Sequence, residues 1–388
     1  MRANFKGIDI NIILLGIVSF LTDASTEMIL PVLPMFITTL GGSGLIIGLI
    51  GGLGDSIASV LKVFSGYWSD RLGRRKIFVF SGYATSSISK LILPFSKTWH
   101  YVLILIPLER VGKGLRTAPR DAIIADSVSS EVIGKSFGIH RAMDTSGAIL
   151  GSILAFVLIY FLNLDIRNIL LIAGIVALTA LFPIHLVREE VKKKEHIKIT
   201  LNGFSRSFWL FIIVASIFAL GNFTYMFFIL RAQDFFTGDY AVSMPVLLYV
   251  LYNIFYSAFS IPSGILSDKF GRKNVILIGY SLFAFTCLGF AFLGSLTLLI
   301  VFFAFYGLSY AFIDGQQRAF VVDLSPEKLR GTALGIFHTV SGIATFPSSL
   351  IAGFIWQFIN PEITFLYGFI VVSTSILLFI VADIKYFE

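Results

Sequence analysis

The sequence predicts an all-α membrane protein, twelve transmembrane helices in two six-helix bundles related by an internal repeat, and three observations carry that expectation. Of 388 residues, 56% are hydrophobic and 14% charged, with a mean hydropathy of +0.87; that is far too apolar for a soluble chain of this length and ordinary for a polytopic one. The apolar residues fall into long runs, each sufficient for the roughly 20 residues that cross a bilayer as a helix. A basic turn, Gly66-Tyr67-Trp68-Ser69-Asp70-Arg71-Leu72-Gly73-Arg74-Arg75-Lys76, returns as Gly264-Ile265-Leu266-Ser267-Asp268-Lys269-Phe270-Gly271-Arg272-Lys273. Gly66, Asp70, Gly73 and Arg74 stand opposite Gly264, Asp268, Gly271 and Arg272 at a single offset of 198 residues.

Taken in order, the runs lie near 8–38, 43–66, 76–95, 100–126, 134–162 and 168–187, then 207–236, 241–264, 274–295, 297–323, 331–359 and 363–384. The first lacks a small-residue cleavage site and continues into Pro31 and Pro34, so it reads as a retained span rather than a signal peptide. Spans 2 and 8 end at the basic turns, whose charges cannot lie in hydrocarbon. Arg188 to Arg206, including Glu189-Glu190-Val191-Lys192-Lys193-Lys194-Glu195, is the one extended polar stretch; it divides an amino-terminal bundle at 1–187 from a carboxy-terminal bundle at 207–388, with 188–206 as a cytoplasmic linker. With both termini inside, nineteen Lys and Arg fall on cytoplasmic segments and three, Lys97, Arg167 and Arg231, outside. That excess predicts a multi-pass plasma-membrane protein with cytoplasmic termini. It also explains the net charge of +7 without nucleic acid as a partner, and the single Cys287, set in an apolar run, offers neither a disulfide framework nor a cysteine metal site.

At this point the chain resembles the major facilitator superfamily of secondary transporters. The resemblance covers the whole length, through the half-chain repeat and through both basic turns, which match that superfamily's G-x-x-x-D-x-x-G-R-[RK] signature after spans 2 and 8. It implies a central site near the membrane midplane and alternating access by rocking of one bundle against the other, with a small molecule as substrate and no cofactor. It further implies that Asp70 bonds the amino end of span 11 and that Arg74 pairs with an acid at the inner end of span 4, either Asp121 or Asp126. The plainer reading of the turns is topology and solubility alone. Followed further, the repeat sets Asp23 opposite Gly221 and Glu27 opposite Tyr225, whereas at an offset of 197 Asp126 matches Asp323 and Gly138 matches Gly335. Scaffold positions are duplicated and the charges of span 1 are not, although a charge inside a membrane requires a compensating reason.

Two stripes carry most of that charge. Asp23 and Glu27 lie one turn apart on span 1 and share a face. On span 4, Glu109, Lys113, Arg116 and Arg120 step by four, three and four residues along another face, with Arg110, Gly114, Thr117 and Asp121 beside them. Spans 1, 4, 7 and 10 line the central cavity in the superfamily, so the resemblance adds Asn222 and Tyr225 from span 7 and Tyr306, Tyr310, Asp314 and Gln317 from span 10 to the substrate path. A shielded carboxylate takes up a proton and a nearby Arg makes it release one, which makes Asp23 and Glu27 the proton-coupling candidates. Arg110 joins them by resemblance, because Arg110-Val111-Gly112-Lys113-Gly114 sits where the span-4 signature places an arginine ahead of glycines.

The competing reading of Asp23 and Glu27 is a permanent salt-bridge cluster with Arg110 and Arg116. Lys62 and Lys90 are expected to snorkel or pair locally; His140 and Asp144, one turn apart at the start of span 5, are spaced to pair, and a loop hydrogen-bond donor is the plainer reading of His140. The expected function is proton-coupled export of small amphipathic organic molecules by a monomeric carrier in contact with lipid, protons and cargo. Symport or exchange of an organic anion is the alternative that the base-rich span 4 favours. One departure weakens the drug-antiporter label: span 5 reads Gly147-Ala148-Ile149-Leu150-Gly151-Ser152, without the proline of that group's signature. Metal carriage finds too few Cys and His along the path. No nucleophile with an orienting partner, nucleotide-binding loop or appended signalling domain speaks for an enzyme or a receptor.

Overall fold

The computed structural model describes residues 4–5, 8–128, 132–189, 203–238 and 240–386. Most of the expected linker, 190–202, lies outside the described residues. A two-residue pairing of β1 (Asn4–Phe5) with β2 (Ile8–Asp9) precedes the helices. Span 1 is α1 (Ile10–Ile29) followed, past a break at Leu30–Val32, by α2 (Leu33–Thr39). Asp9 caps α1 by accepting from Asn11 N at 2.8 Å, and Pro31, which has no backbone N–H to give, sits in the break. Spans 2 to 5 are α3 (Gly44–Leu72), α4 (Arg75–Ile92), α5 (Trp99–Asp126) and α6 (Ile133–Tyr160); span 6 is α7 (Ile166–Thr179) with α8 (Leu181–Leu186). Span 7 is α9 (Arg206–Gly221) and α10 (Met226–Gln233), separated by the non-helical Asn222–Thr224. Spans 8 to 12 are α11 (Tyr240–Phe270), α12 (Arg272–Ala291), α13 (Leu296–Asp323), α14 (Arg330–Phe358) and α15 (Pro361–Tyr386). Eleven of these crossings are long and apolar enough to span a membrane by composition alone. The twelfth, α5, is 28 residues long but carries the span-4 charge stripe.

The helices outrun the expected span ends at both basic turns. α3 continues to Leu72 and α11 to Phe270, so the turn itself is reduced to Gly73-Arg74 in one case and Gly271 in the other. Both glycines have positive φ, 63° and 84°, the left-handed conformation that stops a helix and that a β-carbon disfavours. This is the physical reason for a glycine at that place in both copies.

The contacts divide the chain into two compact units: Met1–Gly41 with Ile57–Ile197, and Gly42–Ser56 with Lys198–Glu388. In the first unit, α1 lies along α6 and α4 along α5. Gly147 and Gly151 of α6 set their backbone against Phe20 and Ala24 of α1, and Gly82 of α4 meets Gly112 of α5; small residues at these crossings allow close approach. An aliphatic core of Ile12, Leu15, Val18, Val79, Ile123 and Ile184 closes the end that bears the basic turn. The second unit is packed with rings. Phe228 stacks on Tyr306 at 4.2 Å and meets Phe290 and Phe365 edge-on at 4.9 and 5.1 Å.

Candidate functional site

The first unit buries charge along α1, α4, α5 and α6. Asp23, half-buried on α1, shares a hydrogen bond with Asp144 of α6. Asp144 also accepts from Ser19 Oγ at 2.6 Å and from Arg141 Nη1 at 2.9 Å. Arg120 Nη1 donates to the same Ser19 hydroxyl at 3.2 Å, while its Nε and Nη2 hold Asp121 at 3.0 and 2.9 Å. Two carboxyl groups that bond one another need a proton on one of them, because two carboxylates so close cannot both ionise. Asp23 and Asp144 thus form a carboxyl pair that joins α1 to α6. Glu27 lies one turn further along α1, also half-buried.

Of the two neighbours one turn apart on α6, Asp144 does not turn to His140: its carboxylate turns to Ser19, Arg141 and Asp23. His140 is 5% exposed and its Nε2 finds no hydrogen-bond partner among the described residues. Sequence alone could not supply the match, because it depends on how α6 is rotated against α1.

Further along the same core, Glu109 accepts from Ser86 Oγ at 2.8 Å and lies 3.4 Å from Arg110 Nε. Lys90 does not snorkel. It is 2% exposed, and its ammonium donates to Thr26 Oγ1 at 2.6 Å and Thr22 O at 3.3 Å, two oxygens of α1. A cavity about the size of one water lies among Thr26, Lys90, Glu109 and Arg110. Arg116 is buried with its guanidinium carbon 4.4 Å above the centroid of the Tyr83 ring. Lys113, three residues earlier on α5, is exposed, and both cations lie within electrostatic reach of Asp23 and Glu109.

At the basic turn the pairing arginine is Arg75, one residue after the expected Arg74. Its Nη2 and Nε bond Asp70 Oδ1 at 2.7 and 3.1 Å, and its Nη1 bonds Asp126 Oδ2 at 2.5 Å and Ala122 O at 3.2 Å. Arg74 is exposed at the amino cap of α4. Glu189 accepts from the backbone N–H of Arg75 and, at 3.1 Å, of Lys76, placing a carboxylate at the helix start where the dipole favours it. In the second copy Arg272 Nε meets Asp323 Oδ2 at 3.1 Å, and Asp268 is exposed. Gly66 lies 3.3 Å, measured from the position its missing Cβ would take, from Ala118, whereas Gly264 faces open space.

In the second unit Tyr310 OH donates to Asn222 Oδ1 at 2.8 Å, bridging α13 to the break in span 7. Tyr306 and Tyr310 meet at 5.3 Å between ring centroids, and Tyr225 lies 5.9 Å from Tyr249. Asp314 accepts from Tyr256 OH at 2.9 Å and Arg318 Nη2 at 2.6 Å. Gln317 stands apart: it donates to Tyr280 OH at 2.6 Å in the buried core, where Tyr280 stacks on Phe218. Sequence reasoning missed Tyr249, Tyr252 and Tyr256 of α11, whose rings run on from one another at 5.4 and 6.1 Å and extend the wall formed by Tyr306 and Tyr310. Their spacing of three and four residues is a one-face pattern and was available in the sequence.

The succession of twelve helical crossings agrees with what is found by comparison. The model of the Major Facilitator Superfamily matches residues 15–244 and 213–386. The chain belongs to that superfamily. An uncharacterized MFS-type transporter of Methanocaldococcus jannaschii is 49% identical over 385 residues, covering 97% of this chain and 96% of that one. A multidrug resistance protein, MdtG of a Rahnella strain, is 26% identical over 194 residues, 48% of this chain and 46% of that one. Among solved structures, the nucleoside transporter NupG superposes with a TM-score of 0.76 at 16% identity over 97% of this chain and 99% of its own. The superfamily protein described here is thus a multi-pass membrane transporter with the twelve-helix fold.

Proposed function

We propose that this transporter couples proton movement to the export of small amphipathic organic molecules by alternating access, as a monomer in the plasma membrane with both termini cytoplasmic. The observation that carries the proposal is the Asp23–Asp144 pair. It holds a proton between two helices, with the Arg120–Ser19 contact and Arg141 beside it; any motion that separates α1 from α6, or brings a cation closer to the pair, releases that proton. Arg110, Glu109 and Glu27 would extend the coupling outward. The tyrosines of α11 and α13, with Asn222 and Tyr225 at the break in span 7, would receive the apolar part of the cargo. The half-length likeness to a multidrug resistance protein supports export. The Arg75 and Arg272 clusters would act as gating latches at the cytoplasmic face.

A second reading, symport or exchange of an organic anion, is favoured by exposed Lys113 beside buried Arg116. The two readings share the proton site. It is tested by following proton release from purified, detergent-solubilised protein in weak buffer as cationic, neutral and anionic amphipaths are added. Wild type should release protons on cargo binding, and Asp23→Asn and Asp144→Asn should each abolish the response. A wild-type response retained in both variants would remove the pair from the mechanism.

A further inference from the structure

Arg116 is a buried charge of the first unit that is incompletely satisfied among the described residues. It is 4% exposed, one face of its guanidinium is covered by the Tyr83 ring, and its Nη1 has no hydrogen-bond partner among the described residues. A ring supplies cation–π attraction but accepts no in-plane hydrogen bond, so the edge of the guanidinium still requires an acceptor. The acids whose fields reach it are committed elsewhere: Glu109 to Ser86 and Arg110, and Asp23 to Asp144. Lys90, the other nearby cation, is tied to Thr22 and Thr26. What remains is a fixed, desolvated fork with Lys113 exposed one turn away.

We infer that Arg116, backed by Tyr83 and with Lys113 at its entrance, binds the carboxylate of an organic anion. The stacked ring leaves the guanidinium open along its edge, where two parallel N–H groups match two coplanar oxygens. A spherical halide offers a single centre to the fork and lacks the two coplanar acceptor atoms that match its parallel N–H groups. This assignment rests on the second reading above and names its substrate class: the cargo's polar end is a carboxylate, held in the first unit and separate from the proton pair.

The test is ligand-dependent thermal unfolding of the purified, full-length protein at fixed pH and ionic strength. Formate and benzoate are titrated, with formamide and benzamide as neutral counterparts of the same shape. Both carboxylates should raise the wild-type Tm saturably and the amides should not. Arg116→Gln should weaken the apparent affinity at least tenfold, and Arg116→Lys, which keeps the charge without the fork, should fall between. Asp23→Asn should keep the carboxylate response while losing proton release, so that a failure of this site and a failure of the proton site give different results. No response of the wild type to either carboxylate overturns the inference. So does an undiminished response in Arg116→Gln that remains monodisperse, or in Arg116→Lys should the Gln variant not fold. A chloride response equal to that of formate and lost in the same variants would make this a halide site and overturn the carboxylate assignment.

Discussion

Arg74 and Arg75 are neighbours of one charge, yet only Arg75 is placed to hold the turn. Its buried guanidinium bonds Asp70, Asp126 and a carbonyl of α5, whereas Arg74 points to solvent. Removing Arg75 would leave two carboxylates without their shared partner. Because both acids are more than a third exposed, at 37% and 38% of their side-chain surface, screening trims the cost. Arg75→Ala is expected to destabilise by about 1–3 kcal/mol, and Arg74→Ala by less than about 0.5 kcal/mol, measured by thermal unfolding in detergent; equal losses would contradict this assignment. The sequence contained the answer in divided form. An offset of 198 aligns Arg74 with Arg272, but Asp126 and Asp323 are 197 apart, and 197 is also the distance from Arg75 to Arg272. The extra residue between Gly73 and Arg75 is where the offset changes, and only the two ion pairs reveal which arginine follows it. Of the two expectations for Lys90, snorkelling fails for a related reason. Its place near a helix end suggested snorkelling, while its two acceptors belong to α1, and such neighbours across helices do not follow from spacing.

Helix contact decides whether Asp23 can meet Asp144. On α6, Gly147 and Gly151 abut Phe20 and Ala24 of α1, two contacts that bracket Asp23. A β-carbon at Gly147 would stand 2.8 Å from Phe20 Cα, and one at Gly151 would stand 2.7 Å from Ala24 Cα; these are backbone atoms that cannot turn aside. Gly147→Ala should therefore push α1 away from α6, lower stability by about 1–3 kcal/mol and blunt cargo-driven proton release. Gly138→Ala on the same helix, where a methyl meets nothing within 4 Å, is the control and should leave proton release unchanged. Loss of release in both variants would show that helix composition, not the α1–α6 crossing, matters. Small residues four apart announced close packing in the sequence. Which helix they packed against, and which carboxyls that brought together, required the fold. By contrast, the spans themselves were legible almost to their ends, because hydropathy and glycine turns act locally. Only α3 and α11 ran on, since a helix tolerates polar residues once it leaves the apolar layer.

Across the whole molecule the two units have diverged in chemistry while keeping one scaffold. The first holds the carboxyl pair, Glu109 and the buried cations; the second holds the tyrosines, with Asp314 already bonded to Arg318 and Tyr256. The duplicated ion-pair cluster at the basic turns has diverged as well. Arg75 is 8% exposed and bonds two acids, whereas Arg272 is 31% exposed and paired to one. If protons are handled in one unit and the apolar part of the cargo in the other, the two properties should separate by mutation. Tyr310→Phe removes the hydroxyl that bonds Asn222 at the break in span 7 while keeping the ring. One neutral hydrogen bond contributes about 0.5–1.5 kcal/mol to holding the break in span 7; without it the variant should raise the KM for transport and leave the number of protons moved per cargo molecule unaltered. Asp23→Asn should do the reverse, keeping equilibrium cargo binding and losing accumulation against a gradient. Parallel measurement of KM and proton-to-cargo ratio in proteoliposomes distinguishes these outcomes. A changed ratio in Tyr310→Phe would mean that the units share the coupling, and the division of labour proposed for them would be abandoned.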